Sequence, residues 1–166
     1  MTLVWSRVDS KLIHGQIVAA WAPHLRAEVI VVADGGTAGD PQAQRIMRLG
    51  LPPEISQAYF RPLQGLAGFL DGPELAGKRI LLIFKSLADA LEAIAGGLDL
   101  AELNLGNQLD QLSRDQGQQL TETFFARREE LEALARLQSL GLAVILQSVP
   151  AAKSVKWRPS GSGHAA

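Results

Sequence analysis

Short apolar runs alternate along this chain with longer stretches whose apolar residues recur every three or four positions. Residues 29–33 (VIVVA) are a continuous β-branched run, and 78–84 (KRILLIF) read as another strand of the buried type. Such runs fit strands buried on both faces. Residues 3–8, 102–105 and 142–147 read as further strands, 55–60 as a weaker one, and 119–125 as another candidate. Between them lie helix signals. A short helix is predicted over 15–21, with Pro23 close to its end. Asp40-Pro41 can cap and start a helix, which must stop before Pro52-Pro53. Residues 62–70 suit a helix weakened by Gly65 and Gly68. Ser86 with Asp89 forms a capping box for a helix closing at Gly96-Gly97. Residues 127–140 place Leu131, Leu134 and Leu137 on one side, with Gly141 as the stop. Asp34-Gly35-Gly36 breaks the pattern, and 106–116 reads as a polar loop.

This alternation predicts an α/β fold: a three-layer α/β/α single domain with a mostly parallel central sheet. The domain is expected over residues 1–156, with 157–166 (WRPSGSGHAA) a disordered tail. Ligands in such folds sit beyond the carboxyl ends of the strands. The loops there include 9–16, 34–40, Lys85-Ser86 and 106–108.

Composition narrows the chemistry. A chain of 166 residues suits one domain with a core of its own. The net charge of −1 argues against a broad nucleic-acid face, so no nucleic-acid partner is expected. With no cysteine, thiolate catalysis, disulfides and Cys-based metal sites are excluded. No cofactor and no metal are expected. No apolar run nears the roughly 20 residues that span a bilayer, and no signal peptide is apparent. The expected location is the cytoplasm, beside the membrane only through partner proteins.

One segment stands out, RVDSKLIHGQ at residues 7–16, between a strand and a helix. It holds Arg7, Asp9, Lys11 and His14 within eight residues. A neutral imidazole is nucleophilic near pH 7 and can accept a phosphoryl group. Arg7 and Lys11 are placed to balance phosphoryl oxygens, and Asp9 to hold one ring nitrogen. Backbone at Leu12, Ile13, Gly15 and Gln16 opens a helix and suits an anion. A lone turn histidine is more often a solvated or capping residue. His24 and His164 read as surface and tail residues, and Trp5 and Trp21 as core or interface.

RVDSKLIHGQIVAAW resembles the R-[IV]-D-D-R-L-I-H-G-Q-V signature of the mannose/fructose/sorbose family of phosphotransferase-system IIB components. VIVVADGGTAGDP, LPPEI, RILLIFKSLADALEAIAGG, ELNLGNQ and the stretch to Pro150 resemble later segments of that family, in order. The resemblance implies a protein-N(pi)-phosphohistidine–sugar phosphotransferase. His14 would take the phosphoryl group from a phosphorylated IIA protein and pass it to a sugar carried by IIC and IID membrane components. It also implies homodimers, and a surrounding shell of Asp34, Lys85, Ser86, Gly106 and Asn107. The departures are Ser10 for Asp, Lys11 for Arg, Asp34-Gly35 for an acidic pair and Gly106-Asn107-Gln108 for G-G-M. They mark a divergent member, and a regulatory phosphoprotein that moves no sugar is the alternative. A flavodoxin-like nucleotide module has no motif behind it.

Overall fold

The computed structural model describes residues 2–160. Seven strands form one sheet in the order β3-β2-β4-β1-β5-β8-β9. They are β1 (Thr2–Val8), β2 (Val29–Ala33), β3 (Gln57–Arg61), β4 (Arg79–Phe84), β5 (Glu102–Leu105), β8 (Ala143–Leu146) and β9 (Val155–Lys156). All pairings are parallel except β8 with β9. The remaining strands, β6 (Gln118–Thr121) and β7 (Phe124–Ala126), form a separate antiparallel hairpin.

The unbroken apolar strands follow from burial on both faces. In β2, Val29, Val31 and Ala33 join one core while Ile30 and Val32 join the other. In β4, Ile80, Leu82 and Phe84 face the first core, and Leu81 and Ile83 the second. The first core is covered by α4 (Leu66–Leu70), α5 (Leu87–Ala95) and α7 (Arg128–Ser139), through residues such as Leu70, Leu87 and Leu137. The second is covered by α1, a π-helical turn Ile17–Trp21 that continues without a break as α-helix Ala22–Leu25. The expected three-layer single domain is therefore present.

Asp40 and Ser86 cap as anticipated, although Ser86 makes only its own half of the expected capping box, with no return bond to the Asp89 carboxylate. Asp40 accepts from the amides of Gln42 and Ala43 at the start of α3 (Pro41–Leu49), and Ser86 Oγ accepts from the Asp89 amide at the start of α5. Several expectations need correction. The Asp34-Gly35-Gly36 break is a helical turn, α2 (Gly35–Ala38), capped by Asp34. The polar loop 106–116 contains α6 (Gln111–Gln116), because Asp110 binds both the amide and the hydroxyl of Ser113. The single strand over 119–125 is the β6–β7 hairpin, turned at Glu122-Thr123 where the Thr121 hydroxyl accepts from the Thr123 amide. Only the second half of 62–70 is helical, entered through Gly65 at φ 75°. The chain also continues beyond its expected last strand. Trp157 is 7% exposed, sits in the first core and donates its amide to Val144 O. Residues 161–166, including His164, lie outside the described residues.

Strand order puts the chemistry at one edge. β1 is central, between β4 and β5, and Val8 registers with Phe84 on one side and Leu105 on the other. The loops after β1 and β5 consequently meet: Ser10 N–H donates to Asn107 O (2.9 Å) and Gly106 N–H to Val8 O (2.8 Å).

Candidate functional site

Where β1 ends, residues 9–12 make a turn closed by Leu12 N–H to Asp9 O at 3.0 Å. Leu12 takes φ 56°, a left-handed conformation costing a leucine roughly 1–2 kcal/mol. Its side chain is buried in the second core, which offsets that cost, and Ile13 packs partly against the same core. His14 then stands at the mouth of the helical segment, its side chain 18% exposed.

Asp9 is the centre of the arrangement, with no side-chain exposure. Its Oδ2 accepts from Arg7 Nε (3.1 Å), His14 Nε2 (2.9 Å) and Asn107 Nδ2 (2.9 Å). Its Oδ1 accepts from the Lys11 amide at 3.1 Å. Burial by itself would raise the Asp9 carboxyl. The His14 hydrogen bond, the Arg7 charge and the Asn107 hydrogen bond outweigh it and hold the group below the usual carboxylate range. The carboxylate is thus ionised, and it fixes the imidazole through Nε2. Nδ1 has no hydrogen-bond partner among the described residues.

Arg7 is equally buried. Its Nη1 donates to Asn104 Oδ1 and to Gln147 O (3.1 Å), its Nη2 to Ser148 O (3.0 Å), and its guanidinium lies 5.2 Å from the Trp21 ring centre. Burial lowers its pKa from the ordinary arginine value and the Asp9 carboxylate works against that shift. Gly106 is required here, because a Cβ at that position would overlap the guanidinium. The expectation that Arg7 meets phosphoryl oxygens directly is therefore corrected: it acts on Asp9. Charge neighbours read from sequence as solvated, and only the sheet encloses this one.

The loop backbone divides. The Leu12 amide, expected to face an anion, is spent on Asp9 O, and the Lys11 amide is spent on Asp9 Oδ1. The amides of Ile13, His14, Gly15 and Gln16 have no acceptor among the described residues. A Cβ on Gly15 would meet nothing within 4 Å, so no protein contact demands glycine there. The Lys11 side chain is exposed and makes no hydrogen bond or ion pair among the described residues.

Of the expected surrounding shell, Asn107 is in direct contact. Its Nδ2 reaches Asp9, Gln16 Oε1 (3.0 Å) and, at 3.5 Å, His14 Nε2. Gly106 lies under Arg7. Asp34, Lys85 and Ser86 share the same sheet edge but make no hydrogen bond to His14 or Asp9. Asp34 caps α2 through the Thr37 amide (2.9 Å) and hydroxyl (2.6 Å). Burial would raise its carboxyl, and those bonds with the charge of Lys85 hold it below the ordinary range. His24 is an exposed residue edge-on to Trp21, and Trp21 stacks on Trp5 within the second core. Sequence reasoning missed Asn104, Gln147 and Ser148. The first carried a signal: Asn104 interrupts the apolar strand ELNL, and a buried amide needs partners.

Comparison with known proteins bears on the family and the fold. The family model described as "PTS system sorbose subfamily IIB component" matches residues 3–160. The N-acetylgalactosamine-specific phosphotransferase enzyme IIB component 2 of Escherichia coli (strain K12) is 30% identical over 155 residues, covering 92% of this chain and 94% of that protein. The mannose-specific EIIAB component of the same organism is 23% identical over 149 residues, covering 90% of this chain and 45% of that longer protein. Among solved structures, the IIBSor domain of the sorbose permease from Klebsiella pneumoniae superposes with a TM-score of 0.82 at 23% identity, covering 93% of each chain. No helix among the described residues is long and apolar enough to cross a membrane, and no three His, Asp or Glu side chains among them are grouped to hold a metal ion.

Proposed function

This chain belongs to the sorbose subfamily of IIB components of the phosphotransferase system, and we propose that His14 is the residue that takes up and passes on its phosphoryl group. IIB components transfer phosphoryl groups during sugar uptake, working with IIA and with IIC/IID proteins. One observation carries the assignment of His14: a partly exposed imidazole is pinned through Nε2 by a buried, ionised carboxylate, leaving Nδ1 without a hydrogen-bond partner among the described residues.

Phospho-IIA docks over the loop, and Nδ1 attacks phosphorus in line with the donor nitrogen. The N–P bond to the donor histidine breaks as the N–P bond to His14 forms. The Nε2 proton stays on His14, and Asp9 balances the positive charge the ring acquires. The unpaired amides of residues 13–16 and the exposed Lys11 ammonium receive the three phosphoryl oxygens. Positioning and charge compensation supply the acceleration, as is general for phosphoryl transfer. In the second step a sugar hydroxyl, held by the membrane components, attacks the phosphorus of phospho-His14; the N–P bond breaks, the departing imidazole recovers its lone pair on Nδ1, and the hydroxyl proton is released to solvent.

The domain is 1–156 extended at least through Trp157, and it works beside the membrane through its partners. The EIIAB relative, whose name joins both components, supports IIA as the donor. Nothing at the site favours the regulatory alternative. Incubation with phosphorylated IIA should place acid-labile phosphate on the parent and on His24→Ala, and none on His14→Ala. Full labelling of His14→Ala would overturn the assignment.

A further inference from the structure

We propose that Asn104 is a positioning residue for phosphoryl transfer, orienting the Arg7 guanidinium so that Nε, and through it Asp9, holds the His14 ring in its reactive tautomer. The inference rests on His14 as the phosphorylated residue.

Asn104 is fully buried between Leu103 and Leu105, which are also fully buried. An amide in such a place is costly unless every polar atom is matched, and here each one is. Oδ1 accepts from Arg7 Nη1, while Nδ2 donates to Ile145 O (3.3 Å) and Gln147 O (3.1 Å). The amide therefore ties the end of β8 to the arginine. Arg7 and Asn104 are register partners across β1 and β5, so the contact is set by the sheet. Gln147 O accepts from both Asn104 Nδ2 and Arg7 Nη1, which makes a closed triangle.

The guanidinium is a rigid plane, so fixing Nη1 and Nη2 fixes the direction of Nε–H. That direction is toward Asp9 Oδ2, the same oxygen that holds His14 Nε2. Asn104, Arg7, Asp9 and His14 form one relay of orientation in which Asn104 touches no reacting atom. If the guanidinium turned, Asp9 Oδ2 would lose the donor that holds it in place, and its grip on His14 Nε2–H would loosen. A ring released from that grip takes the other tautomer, with its proton on Nδ1 and no lone pair there, so that fraction of the protein cannot attack.

The test uses the full chain with ¹⁵N-labelled histidine. Asn104→Leu, which keeps the branching of the side chain, should remain folded by circular dichroism, lower phosphoryl uptake from phospho-IIA roughly 10- to 100-fold, the scale seen when groups orienting metal-bound histidines are removed, and move the ¹⁵N shifts of the His14 ring. In an Asp9→Asn background the same substitution should change uptake less than twofold, because the relay is already cut. If Asn104→Leu does not fold, Asn104→Ser carries the same test, since its hydroxyl is too short to reach Nη1. Unmoved ring shifts in a folded variant, or an undiminished effect in the Asp9→Asn background, would overturn the proposal. The ring shifts are read on unphosphorylated protein. A parent that takes up no phosphate at His14 would defeat the proposed function and leave the positional result to be judged by itself.

Discussion

Replacing Asp9 by asparagine perturbs the site at its most connected atom. The carboxylate has no exposure, and neither does the Arg7 guanidinium that donates to it at 3.1 Å. Asp9→Asn preserves shape but leaves a buried guanidinium facing neutral carbonyl oxygens. Breaking a buried ion pair in this way costs about 3–5 kcal/mol, because the remaining charge is uncompensated. The polar cage of Asn104, Gln147 O and Ser148 O stays in place, so the lower end, about 3 kcal/mol, is expected. Against a total stability of about 5–15 kcal/mol the variant should still fold. The second effect is on rate. A hydrogen bond to a charged group contributes about 1.5–3 kcal/mol, so losing the grip on His14 Nε2 should slow phosphoryl uptake roughly 10- to 100-fold. Urea unfolding at pH 7 and single-turnover transfer from phospho-IIA measure the two terms on one sample. The physical account fails if uptake stays within twofold of the parent, or if the unfolding free energy changes by less than about 1 kcal/mol.

Further outcomes follow from neighbouring contacts. The Asp9 carboxyl is held below its ordinary range, so the stability it contributes is complete above the unfolded pKa, about 4, and is lost as pH falls through the lower folded value. The stability gap between parent and Asp9→Asn should therefore narrow from pH 7 to pH 3 in urea unfolding; an equal gap at both would contradict the linkage. Gly106→Ala forces a methyl into the guanidinium and should lower stability by about 1–3 kcal/mol in thermal melts. Gly15→Ala has open space and should leave the melting curve nearly unchanged while slowing uptake, since the crowding is felt by the incoming phosphoryl group. Lys11→Ala should also keep its melting temperature and lose transfer rate by an amount nearer the low end of about 2.7–4 kcal/mol, the range for one stabilising donor; uptake equal to the parent across a salt series would remove Lys11 from the site. Trp157→Ala opens a cavity in the first core and should cost about 3–5 kcal/mol of unfolding free energy, whereas a residue in a loose tail would cost nothing.

What could be read along the chain was whatever depends on neighbours in sequence. VIVVA and RILLIF identified themselves as doubly buried strands because a strand with no polar face has only one stable place. Asp40-Pro41 and Ser86…Asp89 marked helix starts because a cap acts on amides two or three residues away. The Asp9–His14 pair was legible for the same reason, since the two are five residues apart and one turn brings them together. The orientation of Arg7 was not. Its partners Asn104, Gln147 and Ser148 lie 97 to 141 residues away and arrive only because β1 is laid between β4 and β5, with β8 beyond. Seen in sequence, an arginine beside an aspartate is a solvated pair; in the sheet it is a buried clamp, and Gly106 and Asn107 change from loop residues into its floor and its second donor. The seat of Trp157 was decided in the same way, by packing in the first core, whereas α6 and the β6–β7 turn rest on local bonds, Asp110 to Ser113 and Thr121 to Thr123, inside a stretch whose polar composition reads as a loop. Local propensity is worth tenths of a kilocalorie per residue, and burial of a side chain is worth about 1.5–3 kcal/mol. Where the two disagree, packing determines which way a residue faces.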